Sequence, residues 1–215
     1  MAVTKAKDSI LEAAERLFAQ FDYSGTSMRM IAEEAGVAQA LIHYHCKTKE
    51  RLFEMIIEKR STMINRIRQE QLKRCFDEAV GGVPTLEQVM ESFVRPAIES
   101  GQYSWGRSFS QILAKLANSV DDRSRDLVHK YYDPVAREYI EALKKVLPDL
   151  PDSGIYWGYL IVTSAVVSSM PRTRRIKRLS EGILDDDNNE QVILRLVEFT
   201  THGLRGLSML TEQGG

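Results

Sequence analysis

Residues 37–53 read VAQALIHYHCKTKERLF and place His43, Tyr44, His45 and Cys46 in four consecutive positions. Such a run suits three chemistries: a metal site, a cysteine nucleophile with a histidine base, or a surface that touches something large. The apolar spacing around it predicts a short helix over about 38–46 and a longer one from Thr48 onward. At about 100° per residue, Ala38, Leu41, Ile42, His45 and Cys46 share one side of the short helix. Gln39, Ala40, His43 and Tyr44 share the other. Metal ligands on a helix need one face, typically at i and i+4. His43 and His45 point in nearly opposite directions and have no His, Asp or Glu four residues on, so the metal reading fails. Cys46 sits on the apolar side, where a packed, inert thiol is the usual state. What remains is a helix buried on one face and presenting Gln, Ala, His and Tyr on the other.

Upstream, Ser27 can cap a second helix holding Met28, Ile31 and Ala32, which Gly36 ends. Behind it lies a first helix with Ile10, Ala13, Ala14, Leu17, Phe18 and Phe21 at helical spacing, broken at Tyr23-Ser24-Gly25. Two short helices across a glycine turn, with a third behind, have the layout of a helix-turn-helix, whose second helix lies in the DNA major groove. A solvated polar face is the plainer reading. The exposed residues suit the groove: Gln39 can pair with adenine edges, Ala40 can meet a thymine methyl, and His43 and Tyr44 can reach bases or phosphates. Lys49 falls in the first turn of the fourth helix, where free N–H groups and the helix dipole favour a phosphate.

Downstream, Leu52, Phe53, Ile56, Ile57, Met63, Ile64 and Ile67 predict a fourth helix of about seven turns. VGGVP at 80–84 is the clearest boundary, and Thr85 to Gln88 has capping-box spacing. Helices follow over about 85–100, with Pro96 expected to kink it, then 104–118, 121–147 (Pro134 inside), 153–170 and 188–210. No alternating strand pattern occurs. The expected fold is all-α with about nine helices.

Composition sets the limits around this. The chain has 215 residues, 43% hydrophobic and 27% charged, with net charge -1, as in an ordinary globular protein. Residues 1–75 carry 13 Lys and Arg against 10 Asp and Glu, so the excess of positive charge lies at the N-terminal end. Two cysteines make no disulfide framework. The first residues are charged and amphipathic with no apolar run ahead of a small-residue cleavage site, so no leader is expected, and the apolar stretch at 155–170 is shorter than the roughly 20 residues a membrane span needs. A cytoplasmic protein without a membrane partner is expected. A Gly-rich phosphate loop, a metal spacing and a nucleophile beside a base are all missing, which argues against an all-α enzyme and against a cofactor.

GTSMRMIAEEAGVAQALIHYHCKTKERLF, residues 25–53, resembles the DNA-binding signature of the tetracycline-repressor (TetR) family of bacterial regulators. The matching pieces are a Thr/Ser pair, then R-x-IA-x-x-AGV, a short helix, and K-x-K-x-x-L-F, with their spacing kept; the likeness covers about residues 8–60. It implies a DNA-binding domain over 4–64, its helix-turn-helix at about 27–46, and an effector-binding, dimerising domain over 65–215. It places Thr26 and Ser27 near phosphates with Arg29 close behind, Gln39, Ala40, His43 and Tyr44 in the groove, and His45 and Lys49 at its edge. It further implies a homodimeric repressor on a palindromic operator, released by a small-molecule effector, with an activator of the same family as the alternative. His43 stands where the family commonly has an aromatic residue and Cys46 where it has Phe, which points to a different operator preference and smaller packing beneath the helix.

In the C-terminal half, aromatic residues cluster at 103–109 and 156–159. Phe93, Tyr103, Trp105, Phe109, Tyr132 and Trp157 are candidates to line an apolar cavity, with Arg95, Arg107 and His129 to meet a polar or anionic end; core packing is the plainer role for the aromatics, and a solvated or salt-bridged place for the other three. That inventory suits a small apolar or amphipathic effector better than a sugar or nucleotide. IYWGYLIVTSAVVSSM (155–170) is apolar nearly all round, so a partner subunit is expected to cover one face. Tyr159, Val162 and Val166, with Val197, Thr201, Leu204 and Leu207 of the last helix, would form a four-helix bundle across a dimer. The basic run RTRRIKR (172–178) is read as a loop balanced by Asp185 to Asp187.

Overall fold

The computed structural model describes the backbone of residues 2–185 and 187–209, and side chains over 6–185 and 187–207. Asp186 and position 210, the expected end of the last helix, lie outside the described residues. The described chain is helical: α1 (Ala2–Gly25), α2 (Met28–Ala35), α3 (Gln39–Cys46), α4 (Lys49–Glu78), α5 (Leu86–Glu99), α6 (Gly106–Ala117), α7 (Asp122–Tyr131), α8 (Asp133–Val146), α9 (Asp152–Ser169), α10 (Arg175–Leu179) and α11 (Asn189–Met209). A 3-10 turn, Ser100–Gln102, joins α5 to α6.

Eleven helices replace the expected nine for two reasons. Residues 121–147 form two helices rather than one, because Pro134 lacks the N–H an interior position needs and instead occupies the first turn of α8. The basic run winds into the one-turn α10, entered through Arg174 in the left-handed region (φ 53°). There Arg174 and Lys177 stand 3.8 Å from Asp187 and Asp185. The first helix is interrupted at Asp22 (φ 62°), one residue before the expected break.

Helix starts follow the predicted chemistry. Thr48 accepts from the Arg51 N–H at 3.1 Å and opens α4. Thr85 and Gln88 cap each other reciprocally at 2.8 and 3.2 Å. α5 runs on through Pro96 to Glu99.

α1 and α3 pack against α4, α2 rests on α1 and α3, and α4 also lies against α5 and α7. α5 packs in turn on α11, which packs on α9. The domain boundary expected at residues 64 and 65 therefore falls inside one unbroken helix of about 45 Å. Its inward stripe includes two arginines, Arg60 and Arg68. Arg60 makes a buried ion pair with Glu15 of α1 at 2.8 Å, and its guanidinium lies 4.4 Å from the Trp105 ring centroid. Lys115 of α6 donates to the Ala19 carbonyl of α1 at 2.8 Å. The trihelical unit is thus fastened to the remainder by charge–carbonyl and ion-pair contacts as well as apolar packing.

Candidate nucleic-acid interface and interior cavity

Local chemistry sets the geometry of α2 and α3. The Ser27 hydroxyl accepts from the Met30 N–H at 3.2 Å, and Gly36 (φ 64°) closes α2 through bonds from its N–H to the Ala32 and Glu33 carbonyls. A side chain at Gly36 would be strained whatever the space around it. Ile42 and Cys46 anchor α3 to a floor that includes Ile31, Ile10 and Leu52. Burial pushes the Cys46 thiol above its usual range, so it stays protonated and inert.

Gln39, Ala40, His43 and Tyr44 all face solvent, Tyr44 at 77% exposure. His43 Nδ1 lies 3.0 Å from the Lys47 carbonyl oxygen, so Nδ1 donates and, in the neutral ring, Nε2 points out as an acceptor. Arg29 is exposed and pairs with Glu33 at 2.9 Å. Thr26 and His45 differ from what the resemblance implies. Thr26 is buried, and its hydroxyl donates to the Asp22 carbonyl at 2.8 Å, holding the end of α1 rather than facing a phosphate. His45 is half-buried, with Nε2 enclosed and without a partner and the ring edge-on to Tyr44. Lys49 donates to the Tyr23 and Thr26 carbonyls, both at 3.0 Å, so it clamps the α1–α2 turn to α4 with two of its three protons. Lys47, not singled out from sequence, is exposed in the left-handed region (φ 59°) at the end of α3. The alternation Lys47-Thr48-Lys49 was the available signal.

The C-terminal half encloses a cavity of about 80 Å³ among α4 to α9. Of the predicted ligand residues, Phe93 and Tyr132 line it. The others stand elsewhere. Arg95 binds Glu91, Glu99 and Glu190 at 2.6 to 3.1 Å on the surface, which raises its pKa further. His129 is exposed and meets Asp133 at 2.8 Å. Tyr103 stacks on Trp105, whose edge meets the buried Phe109. Arg107 borders a separate polar cleft, and Trp157 is 63% exposed. Arg68, Tyr159 and Thr163 line the cavity and were missed. An arginine falling in the apolar period of α4 was the signal for the first.

The proposed dimer residues need the same correction. Val162, Val166, Thr201 and Leu204 are buried within the chain, and Tyr159, Val197 and Leu207 are half-buried against its core. α9 and α11 approach closely at Gly158, where a Cβ would lie 2.4 Å from Leu204 Cδ2. The face left open carries Tyr156, Trp157, Leu160 and Ile161 on α9, with Leu194 and Phe199 on α11. Beside it a groove of about 700 Å³ runs between α10 and α11, lined by Ile176, Leu184, Val192, Leu196 and Phe199. No helix among the described residues is long and apolar enough to cross a membrane.

Residues 10–56 match the sequence profile of "Bacterial regulatory proteins, tetR family", and residues 91–203 that of "Tetracyclin repressor-like, C-terminal domain". The chain is 38% identical over 64 residues to the uncharacterized HTH-type transcriptional regulator YhgD of Bacillus subtilis, covering 30% of this chain and 32% of that protein. It thus spans about a third of the curated relative it matches. Among solved structures it resembles the fatty acid degradation regulator FadR from Bacillus halodurans (TM-score 0.63, 14% identity, 93% of this chain and 96% of that one). It also resembles FadR from Bacillus subtilis in complex with stearoyl-CoA (0.59, 14%, 88% and 97%). A third is a transcriptional regulator from Saccharomonospora viridis in complex with choline (0.63, 16%, 93% and 97%). At such identities the likeness is one of fold.

Proposed function

Since the chain belongs to the tetR family of bacterial regulatory proteins, we propose that it is an effector-responsive transcription factor that binds a palindromic DNA operator as a homodimer and represses from it. The observation that carries this is the outward face of α3. Gln39, Ala40, His43 and Tyr44 stand clear of the protein while Ile42 and Cys46 fix the helix beneath them. Gln39 and the free Nε2 of His43 read base edges, Ala40 allows close approach, and Tyr44 reaches a base or phosphate. Arg29, Lys47 and the remaining proton of Lys49, with the Ser27 end of α2, meet the backbone. His45 supports the helix from behind.

The proposed organisation is a DNA-binding domain over about 4–64 and an effector and dimer domain over 65–215, with α4 shared between them. Dimerisation uses the open faces of α9 and α11, where isologous contact of two copies buries the exposed aromatic and aliphatic side chains. Such a protein works in the cytoplasm and needs no catalytic group or cofactor. Two fold neighbours hold stearoyl-CoA, an anionic acyl thioester, and choline, a small cation, so the effector must be read from this chain's own cavity.

Selection from a random duplex library tests the reading. The expected result is a two-fold related pair of half-sites, bound with an affinity that falls steeply as salt rises. Failure to enrich any sequence overturns it.

A further inference from the structure

Arg60 and Arg68 lie two turns apart on one stripe of α4 and are equally buried, each 6% exposed. Arg60 has the Glu15 carboxylate. Among the described residues Arg68 has none: its Nε donates to the Phe93 carbonyl at 2.9 Å, its guanidinium lies 4.0 Å from the Phe93 ring centroid, and its other polar neighbours are Tyr139, Tyr159 and Tyr132. Arginine keeps its proton inside a protein, and an uncompensated buried charge is costly. With Nε taken by the Phe93 carbonyl, the two terminal nitrogens remain as donors on a side chain that lines the cavity. The Tyr132 hydroxyl borders the same space, buried and without a hydrogen-bond partner among the described residues, and the Thr163 hydroxyl lies on the same wall beside Tyr159. The rest of the wall is mainly apolar, with Ile64, Phe93, Leu113, Val135, Val166 and Met170.

We propose that Arg68, with the Tyr132 hydroxyl, anchors the carboxylate of a small amphipathic effector whose hydrocarbon body fills the apolar remainder of the cavity. This rests on the reading of the protein as an effector-responsive regulator and names the effector's chemical class. A monocarboxylate matches one guanidinium in both charge and bidentate geometry, whereas a phosphate dianion would call for a second cation, and among the described residues Arg68 is the one cationic side chain on the wall. A bare inorganic ion would leave the apolar wall unused. At about 80 Å³ the cavity holds a head group and a few further atoms, so a longer tail enters by displacing the flexible Met170 at the end of α9.

The anchor is well placed for signalling. One turn before Arg68, Asn65 donates to the Tyr131 carbonyl at 2.8 Å, next to Tyr132. A carboxylate bound by both Arg68 and Tyr132 thus draws α4 and the α7–α8 junction together, about 28 Å along α4 from Lys49.

The test is calorimetric titration of the DNA-free protein with butanoate, hexanoate and octanoate, against the matched 1-alkanols, in chloride and in phosphate buffer. The acids should bind more tightly with length, and each alcohol about tenfold or more weaker than its acid. Arg68→Gln should remove that preference, and Tyr132→Phe should weaken the acids several-fold while leaving the alcohols unchanged. Alcohols binding as well as acids, absence of acid binding at millimolar concentration, or phosphate displacing the acids completely would each overturn the proposal. If Arg68→Gln fails to fold, the acid-to-alcohol ratio of the wild type and the Tyr132→Phe variant decide. Acids that bind as expected from a protein that selects no operator would leave the anchor standing and remove the regulator reading instead.

Discussion

Two residues of the proposed DNA-contacting end separate reading from holding. His43 contributes nothing to the core: it is exposed and bonds only to the Lys47 carbonyl. His43→Ala should therefore leave the melting temperature unchanged and alter which bases are selected at one position of each half-site. Lys49 does both jobs. Lys49→Ala removes two charge-assisted bonds to the Tyr23 and Thr26 carbonyls, so it should lower stability by about 1–2 kcal/mol as well as weakening DNA on all sequences alike. A Lys49→Ala protein that melts like the wild type would leave the clamp without energetic weight. The sequence shows which residues face outward on α3, because helical period alone decides that. It does not show that the Thr26 hydroxyl turns inward to Asp22, since that depends on the backbone reversal at Asp22. His45 lies on the inward arc of the helical wheel, and its half-buried place in the fold follows from that position.

On the proposed reading α4 carries the signal, and its contacts with α7 include an ionic cluster around Glu54. The Glu54 carboxylate accepts from Lys130 at 2.7 Å, Arg51 at 2.8 Å and Tyr131 at 3.0 Å. These bonds, Lys130 foremost, hold its pKa down to about 2 from the ordinary 4.5. A depressed carboxylate stabilises the fold fully above the unfolded value and loses that contribution as pH falls from about 4.5 towards 2. Glu54→Gln should cost about 1 kcal/mol at neutral pH and flatten the acid limb of the stability curve in that window. An unchanged acid limb would show that α4 and α7 are held by packing alone. Caps and the apolar stripe made α4 legible from sequence. The α7–α8 break was not, because a proline two residues into a helix and one inside a helix look alike until the chain direction is known. Arg68 was passed over because period marks a position as inward without saying whether its charge finds a partner.

For the whole molecule, the proposed dimer depends on which side of α9 is used. The sequence shows a helix apolar all round and so the need for cover, but the division of its faces comes from the close approach at Gly158 and Leu204. Ile161→Glu, on the open face, should give a folded monomer by sedimentation, with operator binding lost at concentrations where the wild type binds. Leu204→Glu places a charge in the chain's own core and should unfold it by several kcal/mol instead. A dimeric Ile161→Glu protein would move the interface away from this face.

The chain has two tryptophans, one at each boundary that matters. Trp157 lies on the open α9 face, and Trp105 sits under the Arg60 guanidinium, between α4 and α6. The first should shift its fluorescence to the blue as two chains associate, and the second should change in brightness when an effector moves α4 against it. The Trp105→Phe protein would then record association alone and the Trp157→Phe protein effector response alone, without labels.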